Sequence, residues 1–387
     1  MKRHLISTQT NLGRLSQGRD NNFLLLRFVA ASLVIVTHSF GLTGHGEIEP
    51  LYQLTHFSLG SLAVDIFFVT SGFLVCKSWY NRLNIIDYLF ARFRRIYPAL
   101  WMAVAFCAFV IGPIFTRFPI AQYLSDPDLY KFVAENATLL PKGVFTTLPG
   151  VFQDHSVASV NLPLWTLPFE LKMYLVLAAL SVIGLSARFF FLPMLVAVAF
   201  VGFALAYSGW IPKLAVTTEW FRFLFFFFAG SLCYVHRERI YISHHLAAAV
   251  IILLAISFIM LSNEDVRRLC IALMTPYIVL FLAFSPSRPV RAFNRLGDYS
   301  YGIYIYGFPI QQCVLAITGS TSIAWNFAVS WVCCLVVAAA SWHFLEQPAL
   351  RRPMPDWLAR MSKVSFFQAD PAAISRATTV DTEASSR

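Results

Sequence analysis

Long apolar runs separated by short polar stretches dominate this sequence. Ten of the runs are long enough to cross about 30 Å of hydrocarbon as helices. They occupy residues 23–42, 57–80, 98–117, 164–184, 188–207, 219–235, 243–261, 268–285, 299–318 and 324–345. The division between the fourth and fifth runs is the weakest, because only residues 186–188 interrupt the apolar pattern. The pattern predicts an all-α protein with about ten membrane-spanning helices.

The composition supports this fold class. Hydrophobic residues make up 58% of the 387 residues and charged residues only 13%. A soluble globule of this size needs more polar surface, so we expect a polytopic membrane protein whose surroundings are the lipid bilayer. Most Lys and Arg residues lie in loops on the same side as the N-terminus, which predicts that both termini are cytoplasmic. The net charge of +10 then suits anionic lipid or an anionic cytosolic ligand rather than nucleic acid.

The chain divides into three parts. Residues 1–22 are polar and lack a cleavage-site pattern, so we expect a cytoplasmic segment before an uncleaved first helix. Residues 23–352 form the membrane domain, and the cytoplasmic tail at 353–387 is expected to be largely disordered. Within the membrane domain, residues 118–163 contain five prolines, which predicts a folded external cap of turns and short helices after the third span.

Arg27 and His38 are the most informative polar residues of the first span. They are eleven positions apart, which on a helix is about three turns plus 20°, so they share one face about 16 Å apart along the axis. Ionisable groups within a bilayer usually face a protein interior or an aqueous cavity, which indicates function. The alternative is an arginine that reaches the interface and a histidine that a neighbouring helix satisfies.

Two further patterns have a functional and a structural interpretation. Glu170 and Tyr174 share a helix face at the start of the fourth span, and Glu170 is a candidate general base, a partner that orients His38, or an interfacial charge. The loop before the third span contains Arg92, Arg94 and Arg95. Guanidinium groups before a helix start suit a phosphate-rich ligand, and the alternative is a topological anchor.

Asp65 and Asp298 are candidates for helix caps or for site residues. Ser71, beside Gly72, is either a site residue or part of a close helix contact. The histidines and cysteines show no metal-ligand spacing with a carboxylate partner, so we expect no metal.

Several separated motifs together resemble acyltransferase family 3, the multispanning inner-membrane O-acyltransferases that modify bacterial surface carbohydrates. The motifs are Arg27 with His38, and residues 65–73, 94–98, 148–152, 165–170, 297–304 and 344–348. The resemblance covers residues from about 20 to 352. It implies transfer of an acyl group, most often acetyl, from cytosolic acyl-CoA to a hydroxyl of a carbohydrate, free or lipid-linked, at the outer face. Acyl-CoA is then a co-substrate, and no permanently bound cofactor is expected.

The resemblance also implies roles for individual residues. His38 is the expected catalytic base, Glu170 is a further catalytic candidate, and Arg27 with Arg94 and Arg95 is expected to contact acyl-CoA. The candidate substrate-binding residues are Asp65, Ser71, Trp165, Tyr174 and Asp298. Residues 161–163 read Asn-Leu-Pro where relatives often have Asn-Gly-Ser, which puts the identity of the acceptor in doubt.

The chemistry accounts for these residue types. A sugar hydroxyl is a poor nucleophile at neutral pH, and an imidazole can accept its proton during attack on the thioester. A covalent acyl-enzyme on Ser71 or His38 is the alternative mechanism. The rival function is a secondary transporter or flippase that uses the buried Arg, His and Glu as a relay, but the two halves of the sequence lack the self-similarity that is common in transporters.

Overall fold

The computed structural model describes residues 10–18, 20–139, 144–188, 190–210, 215–285 and 293–364. In chain order its helices are α1 (Leu12–Ser16), α2 (Phe23–Leu42), α3 (Pro50–Thr55), α4 (Leu59–Tyr80), α5 (Ile85–Phe115), α6 (Ile120–Ser125), α7 (Pro127–Thr138), α8 (Leu162–Val182), α9 (Phe191–Tyr207), α10 (Ala215–Val235), α11 (His244–Met260), α12 (Glu264–Phe284), α13 (Ser300–Thr318), α14 (Ile323–Arg351) and α15 (Asp356–Ser362). A single short antiparallel pair in the described part joins β1 (Thr10–Asn11) to β2 (Tyr241–Ile242).

Six of the described helices are long and apolar enough to cross a membrane by length and composition. These are α2, α4, α5, α8, α12 and α14, and α9 and α11 are shorter apolar helices. The predicted all-α membrane fold is therefore confirmed. The weakly marked break near residue 186 is also present, as a short 3-10 turn at Leu185–Ala187 between α8 and α9.

The third long helix starts earlier than the sequence pattern predicts. α5 begins at Ile85, where the Asn84 side chain accepts hydrogen bonds from the backbone N–H groups of Ile86 at 3.0 Å and Asp87 at 3.1 Å. Pro98 lies inside the helix because the cap at Asn84 sets the start, and the proline removes only one backbone hydrogen bond. The prediction that Arg92, Arg94 and Arg95 occupy a loop is thus wrong, since all three lie on α5.

α4 and α10 pack with their backbones in close approach. A Cβ added to Gly72 would overlap the carbonyl oxygen of Phe227, and one added to Gly230 would overlap that of Val69. Residues 225–228, four consecutive phenylalanines, are buried. Gly72, the small residue beside Ser71, therefore allows α4 and α10 to pack closely, which agrees with the interpretation of this pair as part of a helix contact.

The segment after α5 turns back and packs along that helix. The Tyr123 hydroxyl donates to the carbonyl of Ala108 at 2.7 Å, and the Trp101 indole N–H donates to the carbonyl of Ala137 at 3.0 Å. Further along, the Ser156 hydroxyl donates to the carbonyl of Leu42 at 2.9 Å. This segment therefore contacts the helical bundle at several levels before it enters α8.

The two predicted terminal segments are described only in part. Residues 1–9 and 365–387 lie outside the described residues, so the disorder of the tail stays a prediction. The start of the predicted tail contains α15, and the Asn84 side-chain amide donates to the carbonyl of Ser362 at 2.6 Å. α15 is thereby held against the start of α5.

Candidate active site

A cavity of about 230 Å³ lies between α2, α4, α5, α8 and α13. We call it the arginine cavity, because five arginines and a single carboxylate, Glu170, contribute to its described lining. The arginines are Arg27, Arg82, Arg92, Arg94 and Arg95. Such a group of guanidinium donors around one cavity suits a ligand with several phosphate groups.

Asp298 fixes two of these arginines. Its Oδ2 lies 3.1 Å from Arg27 Nη1 and 2.5 Å from Arg95 Nη2. A second carboxylate, that of Glu346, places Oε2 at 3.6 Å from Arg95 Nη1. Asp298 also accepts hydrogen bonds from the backbone N–H and the hydroxyl of Ser300, so it caps an amide at the start of α13, and its role in binding substrate stays a prediction.

The other arginines stand nearer the end of α4 and the first turns of α5. The Arg94 guanidinium stacks 4.6 Å from the Phe90 ring centroid and donates to the backbone carbonyl of Arg352. Arg82 and Arg92 both donate to the Ser78 hydroxyl oxygen, at 2.5 and 3.4 Å. These arginines are thus held by neutral partners, whereas Arg27 and Arg95 are paired with carboxylates.

Glu170 lies in the wall of the arginine cavity with two other predicted site residues. Its Oε1 accepts a hydrogen bond from the Ser71 hydroxyl at 3.1 Å and another from the Tyr174 hydroxyl. The Tyr88 hydroxyl in turn donates to the Tyr174 carbonyl at 3.0 Å. The predicted shared face of Glu170 and Tyr174 is confirmed by their direct contact.

A second cavity, of about 110 Å³, contains His38, and we call it the histidine chamber. Its described lining residues are Val34, Thr37, His38, Ser58, Gly60, Ser61, Val64, Pro163, Trp165, Arg222 and Tyr304. The Trp165 ring packs 5.9 Å from that of Phe169 and 5.6 Å from that of Phe223. The chamber therefore combines one large aromatic surface with several hydroxyl groups and an imidazole.

The His38 ring is positioned by packing. It meets the Phe308 ring edge to face, with centroids 4.9 Å apart and an interplanar angle of 89°. Its Nδ1 is buried and has no hydrogen-bond partner among the described residues. Because His38 lines the chamber, its imidazole can exchange a proton with a ligand bound there.

His38 and Glu170 line different cavities. Glu170 is hydrogen-bonded to Ser71 and Tyr174, and none of the described hydrogen bonds joins it to His38. The interpretation in which Glu170 orients His38 directly is therefore not supported by the geometry. Val64 and Tyr304 are the residues that line both cavities.

Arg222 is a member of the chamber wall that the sequence patterns did not single out. Its Nε donates to Asp65 Oδ1 at 2.8 Å, its Nη1 lies 3.0 Å from Glu219 Oε2, and its Nη2 donates to the Ser61 carbonyl at 2.8 Å. Asp65 sits within α4, whose N-cap is Ser58, so the cap interpretation of Asp65 is wrong. An arginine inside an apolar run was the signal that could have found Arg222, as it found Arg27.

Glu49 supports the chamber from the loop between α2 and α4. It is 2% exposed and accepts hydrogen bonds from the Thr37 hydroxyl at 3.2 Å and from the backbone N–H of Leu59. The Thr37 hydroxyl oxygen also accepts from the N–H of Gly60 at 2.7 Å. Burial raises the pKa of Glu49 above its usual value, although both hydrogen bonds oppose the shift.

A family model and two known proteins match most of this chain. A family model described as "Acyltransferase domain" matches residues 20–344. A protein of Shigella phage Sf6 named "O-acetyl transferase" is 29% identical over 344 residues, which is 87% of this chain and 98% of that protein. "Nodulation protein 10" of Rhizobium leguminosarum bv. viciae is 30% identical over 366 residues, which is 87% of this chain and 95% of that protein. No solved structure matches.

Proposed function

We propose that this chain, which belongs to acyltransferase family 3, transfers an acetyl group from acetyl-CoA to a hydroxyl of a carbohydrate. The relative from phage Sf6 that is named for O-acetyl transfer supports the acetyl group. The observation that carries the proposal is the pair of adjoining cavities, one lined by five arginines and the other by His38.

The arginine cavity is the proposed donor site. Coenzyme A carries phosphate groups at one end and the thioester at the other, so a cluster of guanidiniums anchors one end and leaves the thioester to extend further. Arg94, Arg92 and Arg82 hydrogen-bond to neutral groups and form none of the described ion pairs, so their N–H groups can turn to a phosphate. Arg27 and Arg95 instead form ion pairs with Asp298.

The histidine chamber is the proposed acceptor site. A sugar presents hydroxyl groups around its edge and an apolar face of C–H groups. Hydroxyls of Thr37, Ser58 and Ser61 and the Trp165 ring line the chamber, which matches both surfaces. His38 is then the group that touches the reacting hydroxyl.

The reaction needs only one proton carrier. The acceptor oxygen attacks the thioester carbonyl carbon while its proton passes to the His38 imidazole. The new C–O bond forms, the C–S bond breaks, and the departing CoA sulfur takes the proton from His38. General base catalysis of this kind is worth about 10²- to 10⁴-fold in rate.

The membrane topology is part of the proposal. Each of the ten predicted apolar runs overlaps a helix of the structure, although six of the described helices meet the length and hydropathy expected of a span. We place ten spans in the bacterial inner membrane, both termini in the cytoplasm and residues 118–163 at the outer face. The arginine-rich start of α5 then lies on the cytoplasmic side, where acyl-CoA is made.

Transfer of label to an acceptor tests the function against the rival transporter. Purified protein in lipid nanodiscs is incubated with radiolabelled acetyl-CoA and surface oligosaccharide from a strain that lacks the gene. We expect base-labile label on the oligosaccharide and a stoichiometric amount of free CoA thiol. Mass spectrometry of the polysaccharide from the deletion strain should show the loss of acetyl esters. An unacetylated oligosaccharide in vitro, together with an unchanged acetyl content in the deletion strain, would reject the proposal.

A further inference from the structure

The arginine cavity and the histidine chamber share a short boundary. Val64 on α4 and Tyr304 on α13 line both spaces, and both side chains are buried. The five arginines of the arginine cavity line only that cavity. Arg222 and His38 line only the histidine chamber. An acyl group anchored through the arginine cavity must pass Val64 and Tyr304 to reach a hydroxyl at His38.

The Tyr304 side chain is held in place at this boundary. Its hydroxyl donates to the Pro163 carbonyl at 3.0 Å and shares a hydrogen bond of 2.6 Å with the Thr166 hydroxyl. Its ring meets the Phe67 ring edge to face at 5.6 Å. A side chain fixed by two hydrogen bonds and a ring contact does not swing aside without losing them, so the width of the passage is set by the fold.

We propose that Val64 and Tyr304 form a neck that determines which acyl groups are transferred, and that it selects acetyl over longer chains. The inference rests on the proposed acyl transfer and names its donor specificity. Beyond the neck lies the histidine chamber, with a volume of about 110 Å³. The Val64 side chain contributes two methyl groups at this boundary, and a longer acyl chain would be forced against them.

Enlarging the neck tests the proposal directly. In Val64→Ala the boundary loses two methyl groups, and the ratio of kcat/KM for propionyl-CoA to that for acetyl-CoA should rise by about ten-fold or more, as expected for one methylene in an apolar pocket. The wild type and the variant are compared as full-length protein in nanodiscs with the same oligosaccharide.

Two matched valines provide the controls. Val75 lies on the same helix as Val64 and lines only the arginine cavity, while Val34 on α2 lines only the chamber. Both are buried, so Val75→Ala and Val34→Ala create similar holes away from the neck. Their propionyl to acetyl ratios should stay near that of the wild type. The neck is refuted if Val64→Ala leaves the ratio unchanged, or if either control raises it equally.

A second variant, which narrows the neck instead of widening it, tests the proposal if Val64→Ala does not fold. Val64→Leu adds one methylene to the neck, and we expect propionyl transfer to fall more than acetyl transfer while the affinity for CoA, measured by calorimetry, stays unchanged. An equal loss for both donors would refute the neck. If the proposed function itself is wrong, the wild type transfers neither acyl group, an outcome distinct from a wild type that transfers acetyl with an unaltered ratio in the variants.

Discussion

Arg222 and Asp65 form a buried ion pair in the wall of the histidine chamber, with Arg222 Nε 2.8 Å from Asp65 Oδ1. The arginine has a second carboxylate partner, Glu219 at 3.0 Å, whereas Asp65 has Arg222 as its only ion-pair partner among the described residues. Removing one member of a buried pair leaves the other uncompensated, at a cost of about 3–5 kcal/mol. Loss of Arg222 should therefore cost more stability than loss of Asp65.

We expect Arg222→Met to destabilise the protein more than Asp65→Asn does. In the first variant a buried carboxylate loses its partner, while in the second Glu219 still compensates the guanidinium. Denaturant unfolding in mixed micelles measures both changes. Arg117 and Asp154 form an exposed pair, so Arg117→Met is the control and should cost less than about 1 kcal/mol. An equal loss in the two buried variants would contradict the asymmetry.

The charged part of this site could be predicted from the sequence only in fragments. Arg27, His38 and Glu170 stand out because ionisable groups are rare in apolar runs. Arg27 and Glu170 line the arginine cavity, and His38 lines the histidine chamber. The pairing of Arg27 with Asp298 joins positions 271 residues apart, and no local periodicity encodes such a contact. The start of α5 was missed for a local reason, since Pro98 suggested a helix start while Asn84 provides the actual cap.

The neck between the cavities could not be predicted at all. Val64 is an ordinary apolar residue in an apolar run, and its role comes only from what lies on each side of it. Tyr304 belongs to one of the recognisable motifs, but its hydrogen bonds to Pro163 and Thr166 depend on how α13 meets α8. Position along a helix can be derived from the sequence, whereas the shape of a cavity depends on the packing of several helices.

His38→Ala should leave the protein folded and inserted while it abolishes acylation of the acceptor, because the hydroxyl loses its base. The expected loss is about 10²- to 10⁴-fold in kcat, with the melting temperature in detergent close to that of the wild type. His245 is exposed, and His245→Ala should acylate normally. Normal acylation by purified His38→Ala would exclude His38 as the base.

Replacement of Arg94 and of Arg95 should distinguish an effect on acyl-CoA binding from an effect on stability. Their joint replacement by Gln should weaken acyl-CoA binding more than acceptor binding. Arg94→Gln alone should weaken CoA binding with little change in melting temperature, whereas Arg95→Gln should also lower it, because Asp298 and Glu346 lose a partner. Calorimetry and thermal unfolding measure the two effects. Arg360 on α15 is exposed, and Arg360→Gln controls for loss of one positive charge. Unchanged CoA affinity in the double variant would make these arginines topological anchors.

The raised pKa of Glu49 predicts a pH dependence of stability with a definite sign. The folded state binds the Glu49 proton more tightly than the unfolded state does. The contribution of Glu49 to stability therefore falls as pH rises from the usual glutamate pKa through the raised pKa. Glu49→Gln keeps an acceptor oxygen for Thr37 and Leu59 and removes the titration. Melting temperatures across this pH range should decline less steeply for the variant, and parallel curves would show that Glu49 does not titrate there.

The sidedness of the reaction distinguishes the proposed enzyme from an acyltransferase that works wholly at the cytoplasmic face. The arginine cavity and the histidine chamber share a boundary at Val64 and Tyr304, and the proposed topology puts Arg94 on the cytoplasmic side. In oriented proteoliposomes, labelled acetyl-CoA supplied only on the Arg94 side should label an oligosaccharide enclosed on the other side. Unreacted labelled acetyl-CoA recovered from inside liposomes with His38→Ala measures leakage of the donor, because no transfer consumes the donor there. If label reaches only an acceptor on the donor's own side, transfer across the membrane is refuted, even though the protein remains an acyltransferase.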